Sequence, residues 1–155
     1  MRFLILLLLA NITFAEISYK LGLGSCLHQD YPAPAWASLK KESIDSFFFL
    51  GDNIYGDVTS GKLDNIKLSY KKLNTQMPEW LKKTEKLVIW DDHDYGLNDA
   101  GANYIYKVQS QQIYNDAWKI DQNDPRRSRQ GIYFSELKDI RGKKVLFIGL
   151  DTRYF

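Results

Sequence analysis

Two continuous apolar runs stand out along the chain, SFFFL at 46–50 and KLVIW at 86–90. Each is too short for a stable helix and reads as a strand covered on both faces. YKLGLG at 19–24 reads as an earlier strand, ending at Gly24-Ser25-Cys26. Between and after them the pattern turns helical. Residues 34–42 have helical spacing with proline near the start, and 63–73 set apolar positions against a lysine-bearing side. Residues 78–83 open on a proline and predict a short helix, 103–120 predict a longer one, and 121–130 are polar enough for a loop. Two further strands are predicted at 131–135 and 143–151, with a turn at Arg141-Gly142. Strands alternating with helices predict an α/β architecture with a largely parallel sheet. In such sheets ligands sit beyond the C-terminal ends of the strands.

Polar residues gather at those ends. Cys26 follows the first strand, Asp52 the second and Asp91-Asp92-His93-Asp94 the third, while Asp151 ends the last. Acids crowded on one edge repel one another unless protons or cations neutralise them, so this many in one place points to a polyvalent metal. Carboxylates suit calcium, magnesium or manganese, whereas imidazole, thiolate and phenolate suit iron or zinc. A mixed set suggests two unlike metals sharing a bridging carboxylate, a recurrent device for hydrolysing phosphate esters. His93 beside them would protonate a leaving alkoxide, and Arg153 would hold phosphoryl oxygens with its planar fork. The competing reading is helix capping by strand-to-helix aspartates, which explains one acid per loop but not several in a row. Asp57 reads as a supporting or solvated acid, and the arginines of 125–129 face either phosphate or water.

Composition narrows little. A chain of 155 residues is one domain, and 45% hydrophobic with 26% charged residues is an ordinary globular balance. A net charge of +2 without a long basic run gives no nucleic-acid signature. The N-terminus says more. Met1-Arg2, an apolar run over 3–9 and Thr13-Phe14-Ala15 have the charge, length and small residues of a cleaved signal peptide over residues 1–15. The expected mature protein is exported (periplasmic, secreted or extracellular), with no stable membrane span after cleavage. Cys26 is the single cysteine, so no intrachain disulfide forms, and an exported lone thiol calls for burial or a bound metal.

Gly51-Asp52-Asn53-Ile54-Tyr55 fits the G-D-x-x-Y motif of purple-acid-phosphatase-like metallophosphoesterases. With GSC at 24–26, LGDNIYGD, WDDHDYGLNDAG and GLDTRYF, residues 24–155 resemble the alkaline phosphatase D (PhoD-like) family. The resemblance implies the N-terminal half of an α/β/β/α sandwich and a metal-dependent phosphatase or phosphodiesterase acting on phosphate mono- or diesters. It implies two or more metal ions, Fe(3+) with Ca(2+), other divalent metals being possible. Residue by residue, it makes Asp52 the bridging ligand, and Tyr55 and Cys26 ligands of the iron. Asp92 stands where related enzymes place the asparagine of a G-N-H motif and is a ligand candidate, Asp91 beside it is a further metal candidate, and His93 falls on the catalytic histidine. Asn98 is implied as a ligand of the second site, and Asp151 and Arg153 match a D-T-R motif. The family draws further ligands, largely histidine, from later motifs, and this chain has two histidines, His28 and His93. Residues 16–155 are therefore expected to be the N-terminal portion of such a domain, truncated at its C-terminus. The alternative is a non-catalytic fragment with a partial metal- or phosphate-binding site.

Overall fold

The computed structural model describes residues 18–155, so the expected signal segment 1–15 lies outside them. Three strands, β1 (Leu21–Gly24), β2 (Ser46–Leu50) and β3 (Glu85–Ile89), form a parallel sheet in the order β1-β2-β3. Helix α1 (Ala35–Glu42) connects β1 to β2, and α2 (Asp64–Gln76) with α3 (Glu79–Lys83) connects β2 to β3. After β3 come α4 (Asp92–Tyr95), α5 (Lys107–Ala117) and a 3₁₀ turn at Pro125–Arg127. The described chain closes with β4 (Phe134–Ile140) and β5 (Lys143–Gly149), which pair antiparallel as a second, two-stranded sheet.

The unbroken apolar run in β2 follows from its position. Phe47 and Phe49 join a core with Val88, Trp90, Ile66, Leu81 and Tyr114, on the helical side. Phe48, pointing the other way, packs with Leu87 and Phe147 of the hairpin. The layers are thus helices, parallel sheet and antiparallel sheet, and each aromatic of β2 contributes about 1.5–3 kcal/mol on leaving water. Helix α2 buries Ile66, Ser69, Tyr70 and Leu73, the spacing that puts one stripe against a sheet. Helix α5 turns a polar stripe inward, Ser110, Gln111, Tyr114 and Asn115. Gln111 Nε2 donates to the carbonyls of Arg126 and Arg129, and Asn115 Nδ2 to that of Arg126, so the stripe tethers the loop that follows.

The expected elements are present, with instructive shifts. The parallel arrangement covers β1–β3, while the last two strands form a hairpin. Arg141 and Gly142 both have positive φ, 55° and 85°, which suits the right-handed twist of a two-residue hairpin turn. The strand expected at 131–135 begins instead at Phe134, because the amides of Gly131 and Ile132 donate to Gln111 and Asp151 side chains rather than to a ladder. Helix α5 begins later than expected, since Tyr104 is held in a turn by Gly101 and its hydroxyl donates to the Gly61 carbonyl. The acid-rich stretch after β3, expected as a loop, contains the single turn of α4.

Candidate metal centre

Cys26, Asp52, Asp91 and Asp151 are each the second residue past the end of a strand. The first three loops lie side by side, because the ladder continues past the sheet: Cys26 N donates to Gly51 O (3.2 Å) and Leu27 N to Asp52 O (2.7 Å). The backbone there is forced. Cys26 and Asp52 adopt left-handed φ values of 57° and 50°, uncommon for non-glycine residues. Gly51, at φ 101°, has room for no side chain: a Cβ would stand 2.7 Å from Asp91 Cβ and 2.8 Å from Asp91 N. The two acid-bearing loops therefore touch at their backbones.

Asp52, Asp92 and His93 converge there, each offering a ligand atom within 4.8 Å of the others. Asp52 Oδ2 accepts from the Tyr55 hydroxyl (3.2 Å) and lies 3.8 Å from Cys26 Sγ, whereas its Oδ1 is buried without a partner. Burial pushes the Asp52 carboxyl above its usual value; His93 opposes this, and Asp92 and Asp91 add repulsion. Asp92 is held below the usual range despite its burial, by the Asp99 amide on Oδ2 (2.6 Å) and by the charges of Arg153 and His93. Desolvation works against a charged His93, yet Asp57 on Nδ1 (2.7 Å), with Asp52 and Asp92 beyond, raises it above the ordinary histidine value. Burial, and then the Asp52 charge, push the Tyr55 hydroxyl well above the ordinary phenol range. A phenolate at that position requires a cation to offset the carboxylate. An orphaned carboxylate oxygen, mutually repelling acids and an imidazole are a donor set that fits a metal cation.

The other expected residues fall into three groups. Tyr55 and Cys26 adjoin the trio through Asp52, and the Cys26 thiol is exposed, so it does not fill the core. Asp91 and Arg153 form the rim: Arg153 Nε donates to Asp91 Oδ1, and its Nη2 lies 3.7 Å from Asp92 Oδ1. Asn98 is exposed, with its amide donating to Asp99 (2.7 Å). Asp151 is not among the converging acids and accepts from Trp90 Nε1 (2.8 Å) and from the amides of Ile132, Arg153 and Tyr154. The basic loop is committed internally: Arg126 pairs with Asp124, Arg127 with Asp116, and Arg129 lies over the Tyr133 ring.

Of the two readings of Asp57, the supporting one holds, since its carboxylate bonds His93 Nδ1 and orients the ring. Two further contributors, Asp94 and Gln29, lie outside the expected site. Asp94, fully buried, accepts from the amides of Asn53 (2.9 Å) and Asp91 (3.0 Å), so one acid of the run does serve as an internal cap. Burial pushes its carboxyl up to about 7. Gln29 clamps the Tyr55 backbone from both sides, donating to its carbonyl (2.9 Å) and accepting from its amide (2.8 Å). Nothing in the residues around Gln29 announces that clamp.

No protein-family model matches the chain, and no curated protein does. Among solved structures, one described as "Structure of PhoD" is similar with a TM-score of 0.57 and 20% sequence identity. The match covers 91% of this chain and 33% of that one, so this chain spans about a third of the PhoD chain's length. The chain thus has the mixed α/β fold of a segment of PhoD.

Proposed function

We propose that the chain belongs to a metal-dependent phosphoester hydrolase of the alkaline phosphatase D type. The observation carrying this reading is the convergence of Asp52, Asp92 and His93 within 4.8 Å, beside an Asp52 oxygen buried without a partner. The fold likeness to PhoD supports it. Asp52 and Asp92 would hold the cations, with Tyr55 and Cys26 adjoining the same centre from the Asp52 side and Asp91 from the rim. Fe(3+) with Ca(2+) is the pair that the family resemblance implies, and a set of carboxylate, thiol and phenol donors is compatible with it. Bound cations supply charge neutralisation for the acids and Lewis acidity toward the phosphoryl group.

The chain's own groups do the rest. Asp57 fixes the His93 ring through Nδ1, leaving Nε2 to carry the proton delivered to a departing alkoxide. Asp57, bonded to Nδ1 and outside the proposed ligand set, favours the protonated form of His93, as a general acid requires. Arg153, anchored by Asp91 at the rim, directs its remaining donors to the phosphate oxygens of a mono- or diester. The same reading takes residues 1–15 as a signal peptide and the working protein as exported; N-terminal sequencing of secreted material checks that. Metal uptake by dialysis, with hydrolysis of bis(p-nitrophenyl) phosphate and p-nitrophenyl phosphate, tests the centre. Uptake and turnover lost together in Asp52→Ala is the expected result, and uptake unchanged in that variant sinks the assignment. A second reading, a metal site without turnover, is favoured by the small number of donors that converge among the described residues, fewer than a two-metal site uses. Uptake without hydrolysis decides for it.

A further inference from the structure

Beside the candidate centre lies a cleft of about 440 Å³ between β1, the loop after it and α1. Leu23, Leu27, Tyr31, Trp36, Phe47 and Phe49 are among its apolar walls, and no lysine, arginine, aspartate or glutamate lines it. Its volume falls in the range of sites that enclose small organic ligands. Leu23 and Tyr31 are 57% and 67% exposed, so apolar surface at the cleft is left open to water among the described residues.

Two connections join the cleft to the centre. Cys26 lines it, and the Cys26 thiol is 3.8 Å from Asp52 Oδ2. His28 also lines it and belongs to a file of rings. Tyr31 and His28 lie 4.6 Å apart, His28 stacks on Tyr55 at 4.9 Å and 9°, and Tyr55 meets His93 at 4.2 Å. The file begins at the apolar cleft and ends at the proposed proton donor. A phosphate ester bound with its charged head at the centre has an uncharged ester group to place, and this cleft, joined to the centre through Cys26 and the ring file, offers it an uncharged surface. Its aromatic walls favour flat groups, since ring faces and edges pack best against other rings.

We infer that the cleft is the subsite for the ester group, and that it selects phosphate esters of aromatic or comparably flat, apolar alcohols over esters of small polar ones. This rests on the hydrolase reading given above. Leu23 and Tyr31 are the specificity-determining residues, and both are exposed enough to be changed without opening the core.

Binding of hydrolysis-resistant phosphonates by the metal-loaded full chain tests the inference. Isothermal titration calorimetry with 2-naphthylphosphonate and methylphosphonate compares one head group carrying two tails. The naphthyl compound should bind at least about tenfold more tightly. Leu23→Ser and Tyr31→Ser should each reduce that preference while leaving methylphosphonate affinity unchanged; circular-dichroism melts verify folding. A companion titration of the metal-free chain with 2-naphthol, which has no phosphate, should show binding weakened by the same two substitutions. If methylphosphonate binds in a metal-dependent way and the naphthyl tail adds nothing, the subsite is refuted and the hydrolase reading stands. A preference that survives both substitutions refutes it as well. If neither phosphonate binds while 2-naphthol does, the hydrolase reading has failed and the ester-group assignment falls with it.

Discussion

Asp52 and Asp151 occupy equivalent places, each two residues beyond a strand, and the structure uses them in opposite ways. Asp151 is saturated: an indole N–H and three backbone amides converge on it, tying β3, the segment before β4 and the chain after β5 together. Asp52 is starved, with one oxygen buried and unpartnered and its carboxyl flanked by other acids on a left-handed backbone. A carboxylate whose lone pairs are already taken is part of the scaffold. One held in place with capacity to spare is available for a cation, and that difference separates scaffold from site.

The comparison is broken most directly at Asp52. Asp52→Asn should abolish metal uptake while leaving the metal-free chain at least as stable in urea at neutral pH. The sign follows from its raised native pKa: the folded state binds the proton more tightly, so the ionised group opposes folding at neutral pH, and the wild type recovers that loss as pH falls through the native value. A destabilised Asn variant would place Asp52 with the scaffold. His93→Ala should lower hydrolysis by about 10²–10⁴-fold in single-turnover assays with the fold intact. An unchanged rate would remove the general acid from the scheme.

Asp151→Ala should do the reverse of Asp52→Asn. Leaving a buried indole N–H and amides without an acceptor should cost about 3 kcal/mol in denaturant melts. Metal affinity should change little in the fraction that remains folded, and a loss of uptake at full folding would move Asp151 into the centre. Asp57→Asn, which keeps the side chain but weakens its hold on His93, should slow hydrolysis about tenfold. It should also shift the alkaline limb of the pH–rate profile, where His93 loses its proton, to lower pH, a change that a purely structural role would not produce. The smallest effect is expected at Asp124, whose bond to Arg126 holds its carboxyl below the usual range. Its contribution, about 1 kcal/mol, is present above the ordinary carboxyl pKa near 4 and disappears as pH falls through the lowered native value. The urea midpoints of wild type and Asp124→Ala should therefore converge in acid.

Strands β2 and β3 and the helices between them are legible in the sequence because burial on both sheet faces leaves continuous apolar runs and helical stripes. The convergence of Asp52 with Asp92 and His93 is legible in part, since strand-to-helix loops of a parallel sheet all open on one edge. The identical placing of Asp151 is where reading by strand ends stops discriminating. Its carboxylate is shared between the neighbouring amides of Arg153 and Tyr154 and two distant donors, Trp90 and Ile132, and the long-range part leaves no local pattern. The same applies to Gln29, whose clamp on Tyr55 spans 26 positions. The turn of α4 is not predicted because the repeated acids read together as metal ligands, whereas Asp94 is buried and accepts from two amides.

The backbone contact at Gly51 acts as a gauge block between the two acidic loops. The pitch between them is the thickness of two peptide chains in contact, which no side chain elsewhere can alter. Ligand residues can be exchanged on either side while that pitch stays constant. A side chain at position 51 resets it in one direction only, outward. On the proposed metal reading, a change of preferred ion would be met by donors that reach farther or less far across a fixed gap.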